Sequence, residues 1–178
     1  MSHRVIVLNG ISSAGKTTLA QALQNLLPET WLTFGVDTLI SAMPLRLDGA
    51  PEGLLIHPGG AVTTGPAWRA MEDDWRLGIG AMARAGVRII LDEVLFRGGA
   101  DQRSWNDAFG DIGVLWVGVR IDPALAAERE LARGDRVIGL AEKQASIVHA
   151  GMAYDLEVDT GLLSPDECAC RIAERVAR

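Results

Sequence analysis

The residues Gly10-Ile11-Ser12-Ser13-Ala14-Gly15-Lys16-Thr17 match the pattern G-x-x-x-x-G-K-[ST]. They follow the apolar run Val5-Ile6-Val7-Leu8 and precede a helix-like stretch, so the pattern has the strand–loop–helix context that it needs. In that context the N–H groups of the loop and the positive end of the helix dipole converge on anionic oxygens. The stretch predicts a loop that binds the phosphates of a nucleoside triphosphate; the alternative is a glycine-rich turn without a ligand.

Each part of this loop has an expected role. Gly10 and Gly15 permit a tight loop and a close approach of the backbone to phosphate. Lys16 is expected to reach the β- and γ-phosphates, and the Thr17 hydroxyl to bind Mg²⁺. The residues predicted to surround ATP are Gly10, Ser12, Ser13, Ala14, Gly15, Lys16, Thr17 and Thr18.

Strand-like and helix-like stretches alternate along the rest of the chain. After the first strand, apolar runs predict strands at 31–36, 87–91, 113–119 and 156–158. An amphipathic helix is predicted from Pro66 to Gly86, and further helices begin at Asp122 and Ser164. Strands that are apolar on both faces and alternate with helices indicate an α/β fold with a five-stranded parallel sheet covered on both sides. We expect residues 1–178 to form one domain.

Composition narrows the classes of partner. The formal net charge of −6 and the pI near 5.0 argue against a nucleic-acid partner. No apolar run approaches the length of a membrane span, and no secretory signal pattern begins the chain, so a cytoplasmic location without a membrane partner is expected. Cys168 and Cys170 lie two apart on a predicted helix, which suits neither a disulfide nor a metal clamp, and both are interpreted as buried small residues. A homo-oligomer is left open.

Acidic residues follow the predicted strands, at the edge where parallel sheets bind ligands. Asp37 follows the second strand and is either a general base that accepts a proton from a substrate hydroxyl or an N-cap. Asp92 follows the third strand and resembles a Walker-B acid that holds Mg²⁺, with a turn cap as the alternative. Glu93 either shares that role or is a solvated neighbour, whereas Asp122 is most simply a helix cap.

A group of arginines suggests a lid. Arg129, Arg133 and Arg136 line one side of a helix end and the loop after Gly134. In small kinases the arginines of such a segment, here 129–137, close over the triphosphate and neutralise transition-state charge, and Arg133 and Arg136 are the preferred candidates. The alternative is a solvated helix whose arginines pair with Glu128, Glu130 and Asp135.

The segment 43–65 is predicted to be irregular and too long for a simple connection. Its apolar content suggests a cover over a hydrophobic or aromatic substrate, although the same residues would also complete a core. Trp68 and Trp75, on the helix that follows, are assigned to the core rather than to a pocket. The residues expected to contact the acceptor substrate are Phe34, Met43, Leu45, Glu93 and Val94.

Several segments resemble the chloramphenicol phosphotransferase family. They are residues 9–17, 34–40, 42–45, 82–86, 115–119 and 132–137, with similarity that continues to residue 160. The Phe-Gly-Val-Asp and Ala-Arg-Gly-Asp-Arg segments are more specific than the phosphate loop. The resemblance implies ATP-dependent phosphorylation of the primary hydroxyl of chloramphenicol, with Asp37 as general base and Arg133 and Arg136 as lid arginines.

The chain also departs from that family. Ile11 and Thr17 stand where the family has glycine and serine, and Thr17 keeps the hydroxyl that binds Mg²⁺. Residues 47–64 and 95–100 match less well, so the reaction type carries over better than the substrate. The leading hypothesis is an O-phosphotransferase that uses ATP and Mg²⁺ on a small-molecule hydroxyl, such as that of an antibiotic. The alternatives are a metabolic kinase for a sugar acid or nucleoside, and an ATP-binding protein that sequesters a drug without modifying it.

Overall fold

The computed structural model describes residues 3–134 and 137–176. Five parallel strands form one sheet in the order β2-β5-β1-β6-β7. The strands of this sheet are β1 (Val5–Asn9), β2 (Trp31–Gly35), β5 (Arg88–Glu93), β6 (Val114–Arg120) and β7 (Leu156–Asp159). The helices are α1 (Lys16–Leu26), α2 (Val36–Ala42), α3 (Pro66–Arg84), α4 (Gly99–Phe109), α5 (Pro123–Arg133), α6 (Leu140–Ala145) and α7 (Pro165–Val176). The predicted α/β fold with a five-stranded parallel sheet is confirmed.

The central strand β1 explains why the sheet needs helices on both faces. All five of its residues are buried, and alternate side chains point to opposite faces. Ile6 and Leu8 pack into the cluster that holds α1 and α7, whereas Val5 and Val7 pack into the cluster that holds α3 and α4. Burial on both faces therefore produces the continuous apolar run that the sequence shows.

The prediction that 43–65 is irregular was wrong. The segment contains a short 3₁₀ helix at Leu45–Leu47 and an antiparallel hairpin of β3 (Leu54–Ile56) and β4 (Val62–Thr64). Three-residue strands are too short to show a period of two in the sequence. The hairpin packs beside α2 and α3 through a cluster that includes Leu39, Met43 and Trp68.

Other local predictions also need correction. Asp37 is not an N-cap, because Gly35 occupies that position and Asp37 is the second residue of α2. Cys168 is buried, as expected, but Cys170 is exposed, because the two side chains point to different sides of α7. The helices α4 and α6 were not predicted. Within the described residues no helix is both long and apolar enough to cross a membrane.

Candidate active site

The phosphate-binding loop connects β1 to α1 at the carboxyl edge of the sheet. Gly15 has φ +79° and caps α1, and Ser13 also adopts a positive φ, of +60°. A Cβ atom on Gly10 would lie 2.5 Å from the Val119 carbonyl oxygen, so only glycine allows the loop to leave β1 so close to β6. The backbone therefore has the tight curvature predicted for a phosphate-binding loop.

Three side chains meet above the start of α1. The Thr17 hydroxyl donates a hydrogen bond of 2.6 Å to Asp92 Oδ2, and Lys16 Nζ lies 3.7 Å from Asp92 Oδ1. Lys16 Nζ also donates a hydrogen bond of 3.0 Å to the Ile11 carbonyl oxygen, and its side chain is buried. A hydroxyl beside a carboxylate supplies the hard oxygen ligands that Mg²⁺ prefers, so the predicted pair Thr17 and Asp92 fits this ion.

A cavity of about 680 Å³ opens from this point towards α3 and α4. It brings together most of the residues predicted from the sequence: Ser12, Ser13, Gly15, Lys16, Thr17, Thr18, Asp37, Asp92, Glu93, Val94 and Arg133. Gly10 and Ala14, which also belong to the loop, are buried and are not among the described residues that line the cavity. Arg136 lies outside the described residues.

Three of the predicted acceptor contacts lie elsewhere. Phe34 packs edge-to-face on Trp75, with ring centroids 6.0 Å apart. Met43 is buried in the cluster beneath the hairpin, and Leu45 is 90% exposed at the surface. None of the three is among the described residues that line the cavity. Phe34 and Met43 therefore pack in clusters with Trp75 and Trp68, which do line the cavity.

Asp37 reaches the cavity because the chain turns sharply after β2. Gly35 pairs with Asp92 in the parallel ladder, and a Cβ atom on Gly35 would lie 2.1 Å from the Asp92 carbonyl oxygen. The backbone here is extended, so the reason for glycine is the close approach of the two strands. This approach brings the start of α2, with Asp37, to the cavity that Asp92 also lines.

Replacing Gly35 with alanine is therefore expected to lower stability by about 1–3 kcal/mol or more, because the added methyl group overlaps backbone that cannot yield cheaply. Urea unfolding of the variant measures the change. Gly78→Ala is the matched control, since nothing lies within 4 Å of its Cβ position on α3 and alanine favours the helix. Equal stability of Gly35→Ala and wild type would contradict the close packing of β2 on β5.

The far part of the cavity, which we call the α3–α4 end, is lined by aromatic and charged side chains. Trp68 and Trp75 belong both to packed clusters and to the cavity wall, so the prediction that they are core only was incomplete. The charged residues lining this end are Arg69, Glu72, Arg76, Glu93, Arg97 and Asp101. This end is more polar than the sequence suggested.

The charged residues of the α3–α4 end are arranged in pairs. Arg97 contacts Asp101 at 2.6 Å and Glu72 at 3.9 Å. Arg76, which is buried, contacts Glu72 at 3.6 Å and also pairs with Asp73. Sequence reasoning missed this cluster, although the i,i+4 spacing of Glu72 with Arg76 and of Arg97 with Asp101 was a visible signal.

Two carboxyl groups of this end have a raised pKa. Burial, followed by the nearby charges of Asp92, Glu72 and Asp101, raises the pKa of Glu93 to about 8, despite the opposing effect of Lys16. Burial also raises the pKa of Glu72, against the effect of Arg76. Glu93 therefore presents a largely neutral carboxyl at pH 7.

Of the two arginines preferred for the predicted lid, Arg133 lines the cavity from the end of α5. Its role as a lid residue stays a prediction. Arg129 donates a 2.9 Å hydrogen bond to the Thr160 carbonyl oxygen and lies beside Gly15. Glu130 is not a solvated partner of the arginines. It is buried, and its carboxylate accepts hydrogen bonds from Gly139 N at 2.8 Å and Ala141 N at 3.2 Å.

A buried polar network lies behind the phosphate loop, and sequence reasoning did not identify it. Asn9 donates hydrogen bonds of 2.7 Å to the Val148 carbonyl and to the Tyr154 hydroxyl, and it accepts one of 3.0 Å from Leu95 N. His149 Nδ1 lies 2.6 Å from the same hydroxyl, and burial lowers the pKa of His149 to about 4. Because Asn9 donates to the Tyr154 hydroxyl, this hydroxyl in turn donates a hydrogen bond to Nδ1 of the neutral His149.

Comparison with known proteins supports the class that this geometry suggests. A sugar kinase from Janibacter sp. HTCC2649 superimposes with a TM-score of 0.68 at 18% identity, covering 97% of this chain and 93% of that one. The APS kinase of Mycobacterium tuberculosis, solved with AMPPNP and APS, gives 0.65 at 12% identity, with 99% of each chain covered. The tunicamycin resistance protein of Deinococcus radiodurans gives 0.63 at 22% identity, with 97% and 95% covered.

The fold is that of P-loop kinases, and the match to a family model identifies the chain as a kinase-like phosphotransferase. The model of the chloramphenicol phosphotransferase-like protein family matches residues 3–177, and the chain belongs to that family. A relative from Mycobacterium tuberculosis strain H37Rv, provisionally named an O-phosphotransferase, is 34% identical over 194 residues, which cover 96% of this chain and 81% of that protein.

Proposed function

We propose that this protein transfers the γ-phosphate of ATP to a hydroxyl group of a small, partly apolar and uncharged molecule, with chloramphenicol as the leading acceptor. The observation that carries the proposal is the position of Asp37 in the wall of the cavity that the phosphate loop also lines. A carboxylate in this wall shares the cavity with the phosphate loop, so an acceptor hydroxyl bound between them would lie next to both. Trp68 and Trp75, which also line the cavity, offer an aromatic surface for the body of the acceptor.

The roles of the residues follow from their positions. Asp37 orients the acceptor hydroxyl and accepts its proton during in-line transfer. Lys16 holds the β- and γ-phosphates, and Thr17 with Asp92 would hold Mg²⁺. When bound, Mg²⁺ neutralises charge on the phosphate oxygens. Arg133, and by resemblance Arg136, stabilise the charge on the transferred group.

The charges of the α3–α4 end favour an uncharged acceptor over a sugar acid. In the described part of the chain, each arginine of this end already has a partner: Arg76 and Arg97 contact carboxylates, and Arg69 donates to the Thr64 carbonyl oxygen at 2.6 Å. Asp37 adds a further carboxyl group to the same cavity, whereas the Glu93 carboxyl is largely neutral at pH 7. An acceptor carboxylate would lose its hydration and would meet the like charge of the carboxylates that already contact Arg76 and Arg97, which costs free energy.

The family and the name of the tunicamycin resistance protein both point towards drug-like acceptors, whereas the sugar kinase represents the metabolic alternative. A nucleoside remains compatible with an uncharged site, because it also combines an aromatic ring with hydroxyl groups. A protein that only sequesters a drug would need no general base.

One experiment tests the proposal directly. The purified protein is incubated with Mg-ATP and each of chloramphenicol, tunicamycin, a nucleoside and gluconate, and mass spectrometry detects the addition of a phosphate group. We expect the mass of chloramphenicol to increase and that of gluconate to stay unchanged. A gain on gluconate alone would overturn the argument for an uncharged acceptor, and no gain on any compound, with ATP bound, would favour sequestration.

A further inference from the structure

The tip of the β3–β4 hairpin touches the start of α6 through backbone alone. A Cβ atom on Gly60 would lie 2.3 Å from the Gly139 carbonyl carbon and 2.4 Å from Leu140 N. In the opposite direction, a Cβ atom on Gly139 would lie 2.8 Å from the Gly59 carbonyl oxygen. The two segments are about 80 residues apart in sequence and have no side chain between them.

We propose that this contact of Gly59–Gly60 with Gly139–Leu140, which we call the clasp, makes the β3–β4 hairpin and α6 move as one unit. Both segments joined by the clasp contribute residues to the wall of the cavity. The hairpin contributes Leu54, Ile56 and Val62, and the α6 side contributes Leu140 and Gln144. The clasp therefore joins two parts of the cavity wall, one from the hairpin and one from α6.

The hairpin side of the clasp is held in shape by its own turn. Gly60 N donates a 3.0 Å hydrogen bond to the His57 carbonyl oxygen, and His57 N donates one of 2.8 Å to the Ala61 carbonyl oxygen. His57 Nε2 also lies 2.9 Å from the Thr63 hydroxyl. These bonds fix the direction in which Gly60 presents its backbone, so the contact with Gly139 is a defined one.

The α6 side connects the clasp to the phosphate loop. Glu130 binds the backbone of Gly139 and Ala141, which ties the start of α6 to the lid helix α5. Further along α6, Gln144 Oε1 accepts a 2.5 Å hydrogen bond from Ser12 N of the phosphate loop. A displacement of α6 therefore reaches both the lid and the loop that binds phosphate.

If the clasp couples the two segments, a ligand that orders the phosphate loop also reduces the mobility of the hairpin, and the reverse holds. Nucleotide bound at the phosphate loop steadies α6 through Gln144, and α6 steadies the hairpin through Gly60. Because binding free energies are reciprocal, an acceptor that orders the hairpin then tightens nucleotide binding by the same factor. This coupling between the two substrates rests on the proposed function, whereas the contact itself does not.

Two neighbouring glycines supply a matched pair of variants for the test. Gly59 and Gly60 have the same φ of +82°, so alanine is equally strained at either position. Nothing lies within 4 Å of the Cβ position of Gly59, whereas that of Gly60 overlaps backbone. Only Gly60→Ala is expected to break the backbone contact between the hairpin and the start of α6. A reciprocal pair is Gly139→Ala with Gly134→Ala as its control, since Gly134 also has positive φ and an open Cβ position.

The contact is tested without ligand by amide hydrogen–deuterium exchange. We expect Gly60→Ala to increase the exchange rate of the α6 amides by at least ~5-fold, because local opening no longer has to break the clasp, and Gly59→Ala to leave this rate unchanged. If both variants, or neither, change exchange in α6, the clasp is overturned. A cooperative unfolding transition measured for each variant shows that any change in α6 is local.

The connection is tested with adenylyl imidodiphosphate and Mg²⁺, which require no acceptor. In the wild type and Gly59→Ala we expect the nucleotide analogue to slow exchange in residues 57–62, and in Gly60→Ala we expect this effect to be lost. Bound analogue without slowing in the wild type would overturn the coupled movement and leave the proposed transfer reaction intact. Failure of the analogue to bind would instead count against the proposed function, and the ligand-free exchange would still decide the contact.

Discussion

Replacing Asp37 with asparagine is expected to lower kcat for phosphoryl transfer by ~10²–10⁴-fold, because the amide keeps the shape of the side chain and cannot accept the hydroxyl proton. The affinity for a non-hydrolysable ATP analogue should change much less, since Asp37 lies on α2 and not in the phosphate loop. Steady-state kinetics with the acceptor that gains phosphate, together with calorimetric titration of the analogue, separate the two quantities.

The control for this variant is Asp48→Asn, which makes the same chemical change at an exposed position that does not line the cavity. A kcat of Asp37→Asn within about threefold of the wild type would refute Asp37 as the general base, since a proton acceptor contributes at least about 10²-fold. Cells offer a second measurement. If the variant still protected them from the drug without transferring phosphate, sequestration would be the function.

The elements that the sequence predicted best are those defined by local chemistry. The strand Val5–Asn9 and the loop after it depend on an unbroken apolar run and on fixed glycine positions, and both are visible without a structure. Asp37, Asp92 and Glu93 were found because parallel strands place their carboxyl ends at one edge of the sheet. All three line the same cavity.

The residues that sequence reasoning missed depend on contacts between distant segments. Arg97 meets Glu72 only because α4 packs against α3, and nothing in either segment alone predicts this. Glu130 looked like a surface residue of a charged helix, yet it is buried because the N–H groups of Gly139 and Ala141 need an acceptor.

Leu45 illustrates the opposite error. Its apolar side chain suggested a substrate contact, but the residue is 90% exposed, since folded proteins also leave many apolar side chains at the surface. Apolar character was compatible both with a substrate cover and with a core, and it could not decide that Met43 and Leu54 pack in a cluster with Leu39 beneath the hairpin. Which residues line the cavity depends on the turn after Gly35 and on the position of the hairpin.

Lys16→Met is expected to lower kcat by ~10²–10³-fold, because the ammonium group stabilises charge that increases on the phosphate oxygens as the transition state forms. Methionine matches the length of the lysine stem and keeps the buried packing beside Ile11. The hydrogen bond between Thr17 and Asp92 does not involve Lys16, so the pair expected to hold Mg²⁺ is retained. Kinetics and thermal unfolding of the variant test transfer and folding separately.

The chain offers a direct control, because Lys143 is its one other lysine and also lines the cavity. Lys143→Met removes the same charge from the same cavity, but from α6 and not from the phosphate loop. If the general positive charge of the cavity drives transfer, both variants lose activity to a similar degree. If the position of the charge is decisive, only Lys16→Met loses activity, since Lys16 extends from the start of α1 to within 3.7 Å of Asp92. Comparable losses in the two variants would therefore reject a specific role for Lys16.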